Sequence, residues 1–238
     1  MTRSRQALMV LIIALIICCA GQVSAQWEKK PYKQWSEKEA LAVLNNSPWG
    51  QTQTYTDTSR MFDTGRAVDS NQRREVEVPQ IKFHIRFFSA KPIRQATSRL
   101  VELMQKGKVS KQLEAQLDAL ANANFPDYIV ITVTTETAQA GSLMGLAASL
   151  LDRQTTSELK SDTYLSLKGG RRVFLLEYQP PRKDGLGARF VFPRMVDGKP
   201  VMTLEDEEVL FQSKLHAGPE LNMRFKIKDM MFGSALEY

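Results

Sequence analysis

Reactive side chains are scarce in this 238-residue chain, which has two cysteines and two histidines. Cys18 and Cys19 both lie in an apolar stretch near the N-terminus, so no thiol remains beyond residue 25. That excludes a disulfide scaffold, a cysteine nucleophile and a thiolate metal centre from the main body of the chain. Two imidazoles, His84 and His216, are too few for a three-histidine metal site. Also missing are a Gly-x-Ser-x-Gly elbow, a His-Glu-x-x-His helix, a P-loop and a Cys-x-x-Cys pair, and with them the easily recognised hydrolases and nucleotide-dependent enzymes. No cofactor and no metal are implied. What is present is an ordinary globular balance, 43% hydrophobic and 24% charged, which excludes disorder and collagen.

The N-terminus has the order of a secretory signal. Arg3 and Arg5 precede the uncharged apolar run from Ala7 to Gly21, and Val23, Ser24 and Ala25 form a small-residue cleavage signal before Gln26. Residues 1–25 are therefore expected to be a cleavable signal peptide, exporting the protein to the periplasm or outside the cell. A membrane tether by an uncleaved signal is the alternative, although the run is short of the roughly 20 residues of a spanning helix. Ile17, directly before Cys18, is not the small residue a lipoprotein signal wants. The leader removes two of the 32 basic residues and no acid, so the remaining chain stays mildly basic, too weakly to imply nucleic acid.

Periodicity predicts the elements of residues 26–238. Ser36 and Glu39 form a capping box for a short helix ending near Asn45 and Asn46. Residues 51–75 are polar and read as a mobile loop, a lid or slack. Ile81, Phe83, Ile85 and Phe87 alternate with Lys82, His84, Arg86 and Phe88, a strand with one buried face. Helices follow over 93–104 and from the Ser110 cap, then a strand over 128–135, with a right-handed crossover as the default. The uncharged, small-residue stretch 138–151 reads as a buried helix. From Thr163 onward alternating segments read as an antiparallel meander over 163–168, 171–178, 188–194, 200–204, 209–215 and 222–232. Gly169-Gly170 and Asp197-Gly198 supply tight turns. The expected fold is α+β, a C-terminal antiparallel β-meander packed with helices from the N-terminal half, in one domain with a sub-boundary near 157–162 as the alternative.

Among polar clusters the basic alternation is the most usable. Arg224, Lys226 and Lys228 fall on one strand face opposite Met223, Phe225 and Ile227, and Lys82 and Arg86 repeat the pattern; Arg171, Arg189 and Arg194 would join if the strands pair suitably. Such a face can hold an anionic envelope component, a lipid head group or acidic glycan, or the acidic patch of a protein partner. The same alternation is also the ordinary pattern of a solvated sheet face. His84, between two cations, reads as a surface histidine, and His216, before Ala217-Gly218-Pro219, as a loop residue or a general base. Glu205 to Glu208 form an acidic turn without calcium-loop spacing. Ser157 and Lys160 match a Ser-x-x-Lys pair, without the accompanying Lys-Thr-Gly, and read as a solvated helix end. Trp27, Trp35 and Trp49 fit either sugar stacking or core packing.

Four blocks, Ser47-Pro48-Trp49-Gly50, Phe88-Ser89-Ala90-Lys91-Pro92-Ile93, Gly185-Leu186-Gly187-Ala188-Arg189-Phe190 with Phe192-Pro193-Arg194, and Phe225-Lys226-Ile227-Lys228-Asp229-Met230, resemble a family of uncharacterised exported bacterial proteins. The resemblance implies export and carries over no catalytic residue. The reading is an exported, non-enzymatic binding or envelope-associated protein that uses the basic strand face. The alternatives are a hydrolase assembled around His216 with Glu177 or the acidic turn, and a structural subunit of an envelope assembly.

Overall fold

The structure is a computed structural model that describes residues 27–56, 80–106, 108–137, 149–216 and 218–238. The expected signal peptide, residues 57–75 of the expected loop and residues 138–148 of the expected helix lie outside the described residues.

The chain enters through short 3₁₀ turns at Trp27–Lys29 and Tyr32–Gln34 and then forms helix α1 (Glu37–Asn45), whose capping box is present as expected: Glu39 N–H donates to Ser36 Oγ and Ser36 N–H to Glu39 Oε2. Strands β1 (Gly50–Thr56) and β2 (Gln80–Phe87) follow, then α2 (Lys91–Met104), α3 (Lys111–Ala121) and β3 (Tyr128–Thr137). After the short α4 (Thr156–Leu159) come β4 (Thr163–Ser166), β5 (Arg172–Phe174), β6 (Glu177–Gln179), β7 (Ala188–Pro193), a small hairpin of β8 (Met195–Val196) and β9 (Lys199–Pro200), β10 (Glu208–Lys214), β11 (Glu220–Lys226) and a last hairpin of β12 (Met231–Phe232) and β13 (Ala235–Leu236). The fold is α+β, with the C-terminal strands in antiparallel succession.

Apart from the two short hairpins β8-β9 and β12-β13, the strands divide between two sheets. One has five strands in the order β1-β2-β3-β7-β6 and the other four in the order β11-β10-β4-β5. The change of sheet occurs inside the segment 171–178 that alternation presents as one strand: Leu175 N–H bonds Thr163 of β4 and the next residue, Leu176, bonds Val191 of β7. Because β6 and β7 complete a sheet begun by β1 to β3, and one buried cluster runs from Trp27 to Tyr238, the sheet spans the 157–162 position. The two sheets pack through aromatic side chains on their inner faces. Phe87 of β2 meets Phe225 of β11 edge-to-face at 4.8 Å, and Phe190 of β7 meets Phe211 of β10 at 5.3 Å.

Two further expectations change. β2 and β3 are neighbours but antiparallel, so no crossover exists between them. A pair of antiparallel helices returns the chain to the end of the sheet it left, and the next strand must then run backwards. Residues 51–56, read as loop, form β1 along the edge of β2. Its Gln and Thr residues hide the strand because an edge has little apolar area to bury. Near the N-terminus, Trp35 and Trp49 are fully buried and Trp27 packs edge-on against both, with ring centroids 5.2 and 6.2 Å away. Core packing, not sugar stacking, accounts for all three. The glycine of the Gly185-Leu186-Gly187 block that matters sterically is Gly187, at φ +77, where a Cβ would meet the Val133 carbonyl oxygen at 2.3 Å.

Candidate functional site

The outer face of β2 is where Lys82, His84 and Arg86 point, and the register places Thr52 of β1 and Thr134 of β3 on either side of His84. His84 is buried, at 7% exposure, against its reading as a surface residue. Its Nδ1 lies 2.9 Å from Thr52 Oγ1 and its Nε2 3.0 Å from Glu136 Oε2. Burial lowers the His84 pKa, the Arg86 charge adds to this, and Glu136 opposes it. The imidazole is therefore neutral near pH 7, which fits Nε2–H donating to Glu136 and Nδ1 accepting from the Thr52 hydroxyl. Lys82 donates to the other oxygen of Glu136 at 3.1 Å, and with His84 holds that carboxylate below its ordinary pKa. This row sews three strands together. Alternation could place His84 on the face but could not show that β1 covers it, because β1 itself was hidden.

Arg86 is committed to structure as well. Its Nε donates to the Leu44 carbonyl at 3.0 Å and its Nη2 to Asn45 Oδ1 at 2.7 Å, while Nη1 reaches Thr134 Oγ1 at 3.1 Å. Helix α1 has no basic residue in its last turn, and Arg86 supplies the missing cation to its C-terminal carbonyls from the sheet below. Burial pulls the guanidinium pKa down to about 10, still well above neutrality. Lys82 and Arg86 thus face Glu136 and α1, and neither lines the cleft beside β11.

The cations of β11 have a different setting. Gln53 of β1 reaches the open edge of β11: its Nε2 donates to the Glu220 carbonyl and its Oε1 accepts from Asn222 N–H, both at 2.8 Å. Beyond this bridge the two strands leave a cleft of about 810 Å³, lined by Asn45, Asn46, Ser47, Pro48, Gln51 and Thr52 on one side and Arg224, Lys226 and Asp229 on the other. Arg224 pairs with Glu208 at 3.1 Å in a largely solvent-exposed contact. Lys226 is exposed and has no salt-bridge partner among the described residues. Lys228 is not on the same strand face: β11 ends at Lys226 and the chain turns through a 3₁₀ segment at Ile227–Asp229, which takes Lys228 outside the cleft lining. Thr52 belongs to both settings, lining the cleft and holding His84. No family model, curated protein or solved structure matches this chain.

The remaining candidates are scattered. Arg171 bonds Asp206 at 2.7 Å, Arg189 pairs with Asp184, and Arg194 donates to the Tyr238 carbonyl with its guanidinium 4.2 Å from that ring, so none joins the β11 cations. The acidic turn runs from a 3₁₀ segment, Leu204–Asp206, into the start of β10: Asp206 is buried and bonded to Thr203, Glu207 pairs with Lys168, and Glu208, the first residue of β10, pairs with Arg224. Among the described residues no group of three His, Cys, Asp or Glu side chains is placed to hold a metal ion. His216 follows the far end of β10 whereas the acidic turn runs into its near end, so the length of that seven-residue strand separates them, roughly 23 Å at the rise of an extended chain. The backbone of His216 bonds the Gln154 side chain through both its N–H and its carbonyl, while Glu177 accepts from Gln179. Ser157 on α4 and Lys160 at its C-terminal cap are both exposed, as expected of a solvated helix end.

Proposed function

We propose that the protein is an exported, envelope-associated binding protein whose cleft between β1 and β11 takes an anionic ligand. The observation that carries this reading is that Arg224 and Lys226 line a cleft whose opposite wall is mostly amide and hydroxyl side chains, with Pro48 its one apolar member. Two cations supply attraction, and Asn45, Asn46, Ser47, Gln51 and Thr52 supply neutral donors and acceptors to orient the ligand. Neither cation is needed to close the fold, since both side chains are open to solvent. The leader-like order of the first 25 residues and the resemblance to exported bacterial proteins support the location.

The test compares the chain from Gln26 to Tyr238 with its Arg224→Gln/Lys226→Gln variant. Retention on anionic lipid vesicles, on cell-wall glycan and on polyglutamate is measured at low and high salt. The wild type is retained on at least one anionic matrix and released by salt, while the double variant loses about tenfold or more in affinity. Equal retention of both proteins on every matrix overturns the reading.

A further inference from the structure

The cleft is bounded by two sheet edges as well as by side chains. β11 is the last strand of the four-stranded sheet and β1 the last of the five-stranded one. In β11 the Asn222 N–H and the Glu220 carbonyl point to Gln53, away from β10, and Ile227 N–H points back to the Glu207 carbonyl just before β10. Because both backbone groups of a strand residue point to the same side and successive residues alternate, the N–H and C=O of Arg224 and the N–H of Lys226 also face away from β10. In β1 the Trp49 carbonyl accepts from Phe87 of β2, so the odd-numbered residues face β2 and the backbone of Thr52 faces the other way. Two rows of backbone donors and acceptors therefore border the cleft. Gln53 closes one end, its amide occupying the place of a peptide group of a neighbouring strand.

We propose that the cleft binds an extended acidic peptide, which adds to the edge of β11 as a further antiparallel strand over Met223 to Lys226. This rests on the anionic-cleft reading and names its ligand class. Backbone bonds to Arg224 supply the pairing, and side chains two apart on the peptide fall on one face, in step with Arg224 and Lys226. Acidic residues at those alternate positions meet the two cations. The amides of Asn45, Asn46 and Gln51 face the peptide's second edge. The one carboxylate of the lining, Asp229, lies beyond Lys226, so the peptide residue reaching it is neutral or basic. A lipid head group or a glycan acid would use the charges and leave the strand edge idle.

The discriminating probe is a short peptide of alternating glutamate and valine, with two N-methylated versions, one methylated at the glutamates and one at the valines. The residue opposite Arg224 donates its N–H to the Arg224 carbonyl, so methylation at the glutamates removes the ladder bonds while preserving every charge. The expected result is binding of the parent peptide, a loss of about tenfold or more on glutamate methylation and a smaller loss on valine methylation. The Arg224→Gln/Lys226→Gln variant weakens the parent peptide. If both methylated peptides bind as tightly as the parent, strand addition is overturned while the anionic cleft stands. Strand addition is likewise overturned, and the cleft kept, if anionic vesicles or glycan are held through Arg224 and Lys226 and the peptide is not. If the double variant binds every probe like the wild type, both readings fall.

Discussion

Strands β2 and β11 carry the same pattern, cations alternating with large apolar residues, and the molecule uses them in opposite ways. On β2 the inner residues Phe83, Ile85 and Phe87 are fully buried, and so, largely, is the outer row: His84 lies between Thr52 and Glu136, and Arg86 under the end of α1. On β11 Phe225 is equally buried, yet Arg224 and Lys226 stand at a sheet edge with solvent and a cleft before them. The difference is position in the sheet. β2 is interior, with β1 and β3 on its flanks and α1 above, so its polar groups must find protein partners. β11 is an edge, and its polar groups can wait for a partner from outside.

Substitutions separate the two strands most sharply at Arg86. Arg86→Ala leaves the Leu44 carbonyl, Asn45 and Thr134 without their donor in a place water reaches poorly, and costs about 3 kcal/mol. Thermal unfolding should show Tm lower by roughly 6 to 12 °C, with the loss of helix from α1 visible by circular dichroism. A drop no larger than that of an exposed substitution would mean that β2 resembles β11 after all.

A smaller effect belongs to His84. Its pKa is lowered in the folded chain, so between the ordinary value of about 6.5 and the folded value the unfolded chain binds the extra proton. The stability contributed by the neutral imidazole is therefore complete above about pH 6.5 and is lost as pH falls through the folded pKa. Denaturant midpoints followed from pH 7.5 to 5 should fall for the wild type and stay flatter for His84→Gln. Carboxylates with lowered pKa, such as Glu136, add their own loss only below about pH 4.5.

The smallest structural effect is expected on β11. Arg224→Gln/Lys226→Gln removes one exposed pair, Arg224 with Glu208, and should change the unfolding free energy from denaturant titration by less than about 0.5 kcal/mol. A larger loss would make these cations structural, and the comparison between the strands would collapse.

Local signals read well where one face is buried. The Ser36 capping box, the Ser110 cap, the alternation of β2 and the Gly169-Gly170 and Asp197-Gly198 turns all form as their residues demand. β1 was illegible because Gln51, Thr52, Gln53 and Tyr55 carry no apolar stripe, and without β1 neither the cover over His84 nor the cleft could be inferred. The break of 171–178 into two strands was equally hidden, since Leu175 and Leu176 continue the apolar run while their backbones bond different sheets.

By itself, then, the sequence determined which residues cap, turn and alternate, because those depend on neighbours a few positions away. It also determined that Arg224 and Lys226 share a strand face. Tertiary structure alone decided that Arg86 serves a helix end and His84 a strand seam, and that Lys228 leaves the row. It alone brought Asn45 and Gln51 opposite Arg224, since edge, interior and cleft are properties of how distant strands are ordered, and no local period encodes that order.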